Sequence, residues 1–177
     1  MWRMRDHKRY LRGLAMSSDG RPEQAASRSA DELVTRLASA ALRGGVNVDS
    51  TFPPLACARI LGGPGHLVEV RHQLEHWATN AGLRASTVAD LVLATYEALA
   101  NAAEHAYPSR DGPVDLVAAR TTDGRVLVIV SDYGRWRPPP ADPGFRGRGL
   151  QMITALTRRV QVQPGPHGTT VHMEWEV

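Results

Sequence analysis

Tyr96-Glu97-Ala98-Leu99-Ala100-Asn101-Ala102-Ala103-Glu104-His105-Ala106 is an apolar, helix-forming run broken by Glu97, Asn101 and His105 at spacing i, i+4, i+8. On an α-helix these three side chains share one face. Asn is a poor helix former that prefers caps and turns, so a plain surface helix has little use for it there. A site has one. Glu97 can accept a proton from an incoming hydroxyl or water. Asn101 offers a neutral amide oxygen to a hard cation such as magnesium, which takes few protein ligands and several waters or phosphates. Taken alone, the spacing also fits a solvated polar stripe, and His105 alone fits a cap or a packing residue at the helix end.

Three further motifs follow in order. Asp132 and Gly134 end the apolar run Val126-Leu127-Val128-Ile129-Val130. A carboxylate at the end of a buried strand can accept from an exocyclic amine such as that of adenine, and a glycine lets backbone approach the base. Gly147-Arg148-Gly149-Leu150 opens a helix whose free N–H groups and dipole favour an anion. Arg146 and Arg148 add charge for phosphate. Gly168-Thr169-Thr170 opens the last strand, where a threonine hydroxyl can assist Asp132. Each motif is weak alone, since turns, loops and solvated arginines explain it equally well. The ordered set fits one nucleotide pocket.

The surrounding chain supplies a frame for such a pocket. Leu55 to Leu61 reads as a strand, and Pro64 to Asn80 as a helix with Leu67, Val70, Leu74 and Trp77 on one face. Ser86 is the expected N-cap of the motif helix, which runs to about His105, with Pro108 at its exit. Val114 to Arg120 and Arg125 to Ser131 form a hairpin across Asp123-Gly124. Residues 134–147, with Pro138, Pro139 and Pro140, read as a loop. A helix is expected from Gly149 to Arg159, then a hairpin of Val160 to Gln163 with Thr169 to Val177. This order predicts an α+β two-layer α/β sandwich, a mixed, mostly antiparallel sheet with helices on one face.

The domain division expected is 1–50 as an N-terminal extension and 51–177 as the compact domain. The extension combines a tail without apolar period up to about Ala30 and one helix from Asp31 to Leu42, stopped by Gly44-Gly45. The chain has 177 residues, 42% of them hydrophobic and only 6% aromatic, which suits one aliphatic core. Much of the net charge of +3 sits in the first dozen residues, so composition gives little support for direct nucleic-acid binding. One cysteine, Cys57, excludes an internal disulfide and fits a reducing compartment. No run spans a membrane and no apolar secretory h-region is present, so a cytoplasmic location is expected.

On these motifs the chain resembles the gyrase, histidine-kinase and MutL-type ATPase superfamily with its Bergerat fold. More narrowly it is similar to the anti-sigma-factor serine-protein kinases of bacterial partner switching. The resemblance covers roughly Phe52 to Val177. Glu97, Asn101, His105 and Ala106 match a Glu-x-x-x-Asn-x-x-x-His-Ala motif, Asp132 and Gly134 an Asp-x-Gly box, and Gly147, Gly149 and Leu150 a Gly-x-Gly-Leu box. It implies ATP and Mg2+ as cofactors, Asn101 as the magnesium ligand and Glu97 as the base of phosphotransfer. Asp132, Gly134 and Thr169 would recognise adenine, while Gly147, Arg148, Gly149 and Leu150 would hold phosphates and His105 would border the nucleotide. The implied activity is a serine/threonine kinase acting on an anti-sigma-antagonist (STAS) partner and sequestering a sigma factor, with a homodimer allowed. Trp136 stands where many relatives have a second glycine, and with the prolines it suggests a short, stiff lid. That departure keeps a second reading open, a catalytically inactive partner-binding module that retains the fold.

Overall fold

The structure, a computed structural model, describes residues 31–35, 46–61, 64–107, 112–134 and 149–177. Among the described residues five strands run β1 (Leu55–Ile60), β2 (Val114–Arg120), β3 (Arg125–Asp132), β4 (Arg159–Gly165) and β5 (Gly168–Glu176). They form one sheet in the order β1-β2-β3-β5-β4. Every pairing between these strands is antiparallel, so the mixed character the sequence allowed for does not occur among them. Among the described residues the helices after β1 are α1 (Pro64–Asn80), α2 (Ala85–Asn101) and α3 (Gly149–Leu156), with a π-helical turn, Ala102–Ala106, continuing α2.

Alternation along the strands divides the core into two. One face carries Leu116 and Ala118 of β2, Val126, Val128 and Val130 of β3, and Met173 and Trp175 of β5. Val70, Leu74 and Trp77 of α1, Leu91, Ala94 and Ala98 of α2, and Ile153 of α3 cover it. Trp77 is fixed by its indole N–H, which donates to Pro53 O at 2.9 Å, and by an edge-on contact with Phe52. The opposite face carries Val117, Ala119, Leu127 and Ile129. These residues are buried too, with Leu33, Val46 and Val48 packed against them and Ala58 of β1 beside them. The uninterrupted apolar run of β3 thus has a simple cause: both of its faces are covered.

Local detail departs from the sequence reading at several points. Ser86 is not the N-cap of α2. Arg84 occupies that position with extended backbone, no side chain caps the end, and Ser86 lies in the first turn. Helix α3 stops at Leu156 rather than Arg159, because the Trp175 indole donates to Leu156 O at 2.7 Å and Arg158 N–H already donates to Glu174 O. Residues 46–49 pair with the β2–β3 hairpin: Val48 bridges to Thr121, and Asp49 N–H donates to Arg120 O at 2.8 Å. Residues 31–35 are helical; the rest of the helix expected to reach Leu42 lies outside the described residues, as do Pro108 and the proline-rich loop. No helix among the described residues is long and apolar enough to cross a membrane.

Candidate nucleotide site

Helix α2 delivers Glu97 and Asn101 one turn apart, and α3 packs against it with Gly149 at its first position. A Cβ on Gly149 would lie 2.8 Å from Asn101 Nδ2, 3.1 Å from Asn101 Oδ1 and 3.3 Å from Glu97 Oε2. The bare glycine is what lets the start of α3 approach both side chains. Asn101 Nδ2 is buried and has no hydrogen-bond partner among the described residues. Such an orphan costs about 1–3 kcal/mol, so its persistence asks for a ligand-side explanation. Neutral amide, carboxylate and helix N-terminus meet in one place. That donor set suits a magnesium–phosphate group, which needs one or two protein oxygens and free N–H groups.

Asn101 is also where regular α geometry ends. Ala102–Ala106 forms a wider π turn, a feature frequent at functional sites. The wider turn carries His105 away from the line that i, i+8 spacing predicts, and His105 is exposed. The turn ends by bringing the Ala106 carbonyl against Gly134, where any side chain on the glycine would collide with it. The end of the first motif and the Asp-x-Gly turn are thereby in direct contact.

At that turn, Asp132 Oδ1 accepts hydrogen bonds from Gly134 N–H at 2.9 Å and Thr169 N–H at 3.1 Å. Among the described residues none donates to Oδ2, which leaves one carboxylate oxygen for a ligand. Thr169 is buried and meets Asp132 through its backbone, not through the hydroxyl the sequence reading invoked. Thr170 instead shares a hydroxyl contact with Ser131 at 3.2 Å. Leu150 is half-buried and packs on the main core. Gly147 and Arg148 lie outside the described residues, as does Trp136.

Sequence reasoning missed three residues beside this turn. Tyr107 Oη accepts from Tyr133 N–H at 2.7 Å and donates to Pro113 O at 2.6 Å. Burial pushes the Tyr107 phenol above its ordinary range, against the pull of its bond with the Tyr133 backbone. Tyr133 Oη donates to Oδ2 of Asp115, and Asp115 is buried within β2. The available signal was a charged residue inside the apolar run Val114 to Ala119. Elsewhere, burial pushes the Cys57 thiol up to about 12, and its Sγ faces Gln73. Cys57 belongs to the core, away from the motifs.

The sequence matches the histidine kinase-like ATPase domain family over residues 62–175, more than half of the chain. Among solved structures it is similar to the RsbU and RsbW domains of Rv1364c from Mycobacterium tuberculosis. There the identity is 31% and the TM-score 0.57, over 70% of this chain and 32% of that one, so this chain spans about a third of that relative's length. It also shares its fold with the SiaB-SiaC complex from Pseudomonas aeruginosa. That likeness has 14% identity and a TM-score of 0.56, and covers 81% of this chain and 99% of that one.

Proposed function

The chain belongs to the histidine kinase-like ATPase domain family, and from that premise we propose that it is an ATP-dependent serine/threonine kinase of the anti-sigma-factor type. Its substrate would be a STAS-type anti-sigma antagonist, and it would sequester a sigma factor while that antagonist is phosphorylated. In this reading residues 51–177 are the catalytic domain, residues 1–50 an extension, and the setting is cytoplasmic. The observation that carries it is the meeting of Gly149 with Glu97 and Asn101, whose buried amide nitrogen has no partner among the described residues. The 31% identity to a chain with an RsbW domain supports the narrower kinase class.

Each residue then has a task. Asp132, with Oδ1 occupied by Gly134 and Thr169, offers Oδ2 to the adenine amino group. Gly134 keeps the backbone close to the base, and Gly147, Gly149, Leu150 and Arg148 enclose the phosphates at the start of α3. His105 borders the nucleotide. Asn101 is the protein ligand for Mg2+, which when bound neutralises phosphate charge. Glu97 accepts the proton of the partner's hydroxyl as its oxygen bonds to the γ-phosphorus. The bond from that phosphorus to the bridging oxygen breaks, and ADP leaves with the electron pair.

Radiolabelled ATP offered to a panel of purified STAS proteins tests this. Wild type should label a serine or threonine on one of them. Glu97→Gln should bind Mg-ATP as well as wild type yet transfer phosphate about 100-fold more slowly or worse. Intact ATP binding with no transfer to any STAS protein would favour the second reading, a partner-binding module without catalysis. Trp136, in place of a lid glycine, is the feature that supports that alternative.

A further inference from the structure

Asp132 and Tyr133 are consecutive, so they leave β3 toward opposite faces of the sheet. Val130 belongs to the core under the helices, and Ile129 to the core on the other side. The Tyr133 side chain is anchored on that other side, through its bond to Asp115. Asp115 is 4% exposed and both its oxygens are used. Oδ2 accepts from Tyr133, and Oδ1 accepts from Arg59 N–H at 2.8 Å. Arg59 sits in a bulge: Cys57 pairs with Leu116 and Ile60 with Val114, so Ala58 and Arg59 together oppose Asp115. Its φ of +54° is left-handed, a strained setting for a non-glycine residue that the Asp115 contact helps hold.

A carboxylate inside a central strand is a poor choice for stability alone, since an apolar residue of similar size packs there without desolvating a charge. What Asp115 achieves is a tie on the far side of Tyr133. The Tyr107 hydroxyl provides a second tie by accepting from the Tyr133 N–H, which belongs to the peptide joining Asp132 to Tyr133. Tyr107 in turn follows the π turn whose last carbonyl rests on Gly134. The turn that presents the Asp132 carboxylate is therefore held at its backbone and from the reverse face of the sheet.

We propose that Tyr107 and the Asp115–Tyr133 pair are positioning residues for Asp132, fixing the angle of its free oxygen and so the strictness with which the site selects adenine. The inference rests on the adenine role given to Asp132 above. Tyr107→Phe keeps the ring against Gly112 and removes the hydroxyl; Tyr133→Phe cuts the tie to Asp115. Mg-ATP and Mg-GTP affinities are measured for the full chain and both variants, alongside amide exchange at Gly134 and Thr169. The expected result is ATP binding weakened about fivefold to tenfold with GTP binding little changed, a narrower ATP-to-GTP ratio, and faster exchange of both amides. Should Tyr107→Phe fail to fold, Tyr133→Phe carries the same test. Equal weakening of both nucleotides, or an unchanged ratio, would overturn the proposal while leaving ATP binding by the family site intact. Wild-type protein that binds ATP no better than GTP would overturn the adenine role itself, and the positioning role with it.

Discussion

Gly149 and Asn101 approach so closely that a methyl group on the glycine would stand 2.8 Å from the asparagine amide nitrogen. The atoms it would meet next are Asn101 Oδ1 and Glu97 Oε2, so one added carbon disturbs both side chains at once. Gly149→Ala should weaken Mg-ATP binding about tenfold, as the amide swings away from the position it now holds. The fold should survive, because the displaced atoms are side-chain ends. Titration calorimetry beside a thermal melt separates the two effects, and unchanged affinity would remove Asn101 from the ligand set.

Removing the Asp132 carboxylate leaves two backbone donors without their acceptor. Asp132→Ala should therefore lower stability by about 1–3 kcal/mol as well as abolish preference for ATP over GTP. Urea unfolding measures the first and competition binding the second. A variant that loses nucleotide preference at full stability would mean that Gly134 and Thr169 find other partners.

Leu33 is 7% exposed against the outer face of the sheet, far in sequence from the residues it covers. Leu33→Ala should cost about 2 kcal/mol or more, the usual range for truncating a buried leucine. The loss should appear in the same cooperative transition as the rest of the domain. A separate, earlier transition would show that residues 31–35 dock loosely.

Stability should also depend on the protonation of His172. Burial holds its imidazole below the ordinary 6.5, with Glu174 pulling weakly the other way. As pH falls, the unfolded chain takes up this proton first, so the unfolded state binds more protons and stability declines. The contribution is complete above about pH 6.5 and is lost as pH drops through the lower folded value. Urea midpoints at pH 5 and pH 7.5 should differ, and His172→Gln should shrink the difference.

How much of this was legible in the sequence depended on whether the cause was local. Helix α1 runs from Pro64 to Asn80 as its apolar spacing and flanking breakers predict. The β2–β3 hairpin turns where Asp123-Gly124 stands between apolar runs. Glu97 and Asn101 share a helix face because four residues make about one turn. The rest arises from contacts distant in sequence. Nothing near Leu156 announces that Trp175 will take its carbonyl, and nothing near Leu33 names the sheet it covers. The π turn after Asn101 breaks the periodicity on which the placement of His105 relied. Tyr107, Tyr133 and Asp115 carry no mutual spacing, and only folding makes them a group.

The two outermost strands of the sheet are both spoiled as templates. At β1 the doubled residues opposite Asp115 kink the strand, and at β4 Pro164 removes a donor from the ladder. Among the described residues, neither margin is an uninterrupted straight row of amides of the kind that lets a neighbouring chain add a strand of its own. Growth by strand addition, the route from folded domain to fibril, is thus discouraged at both ends.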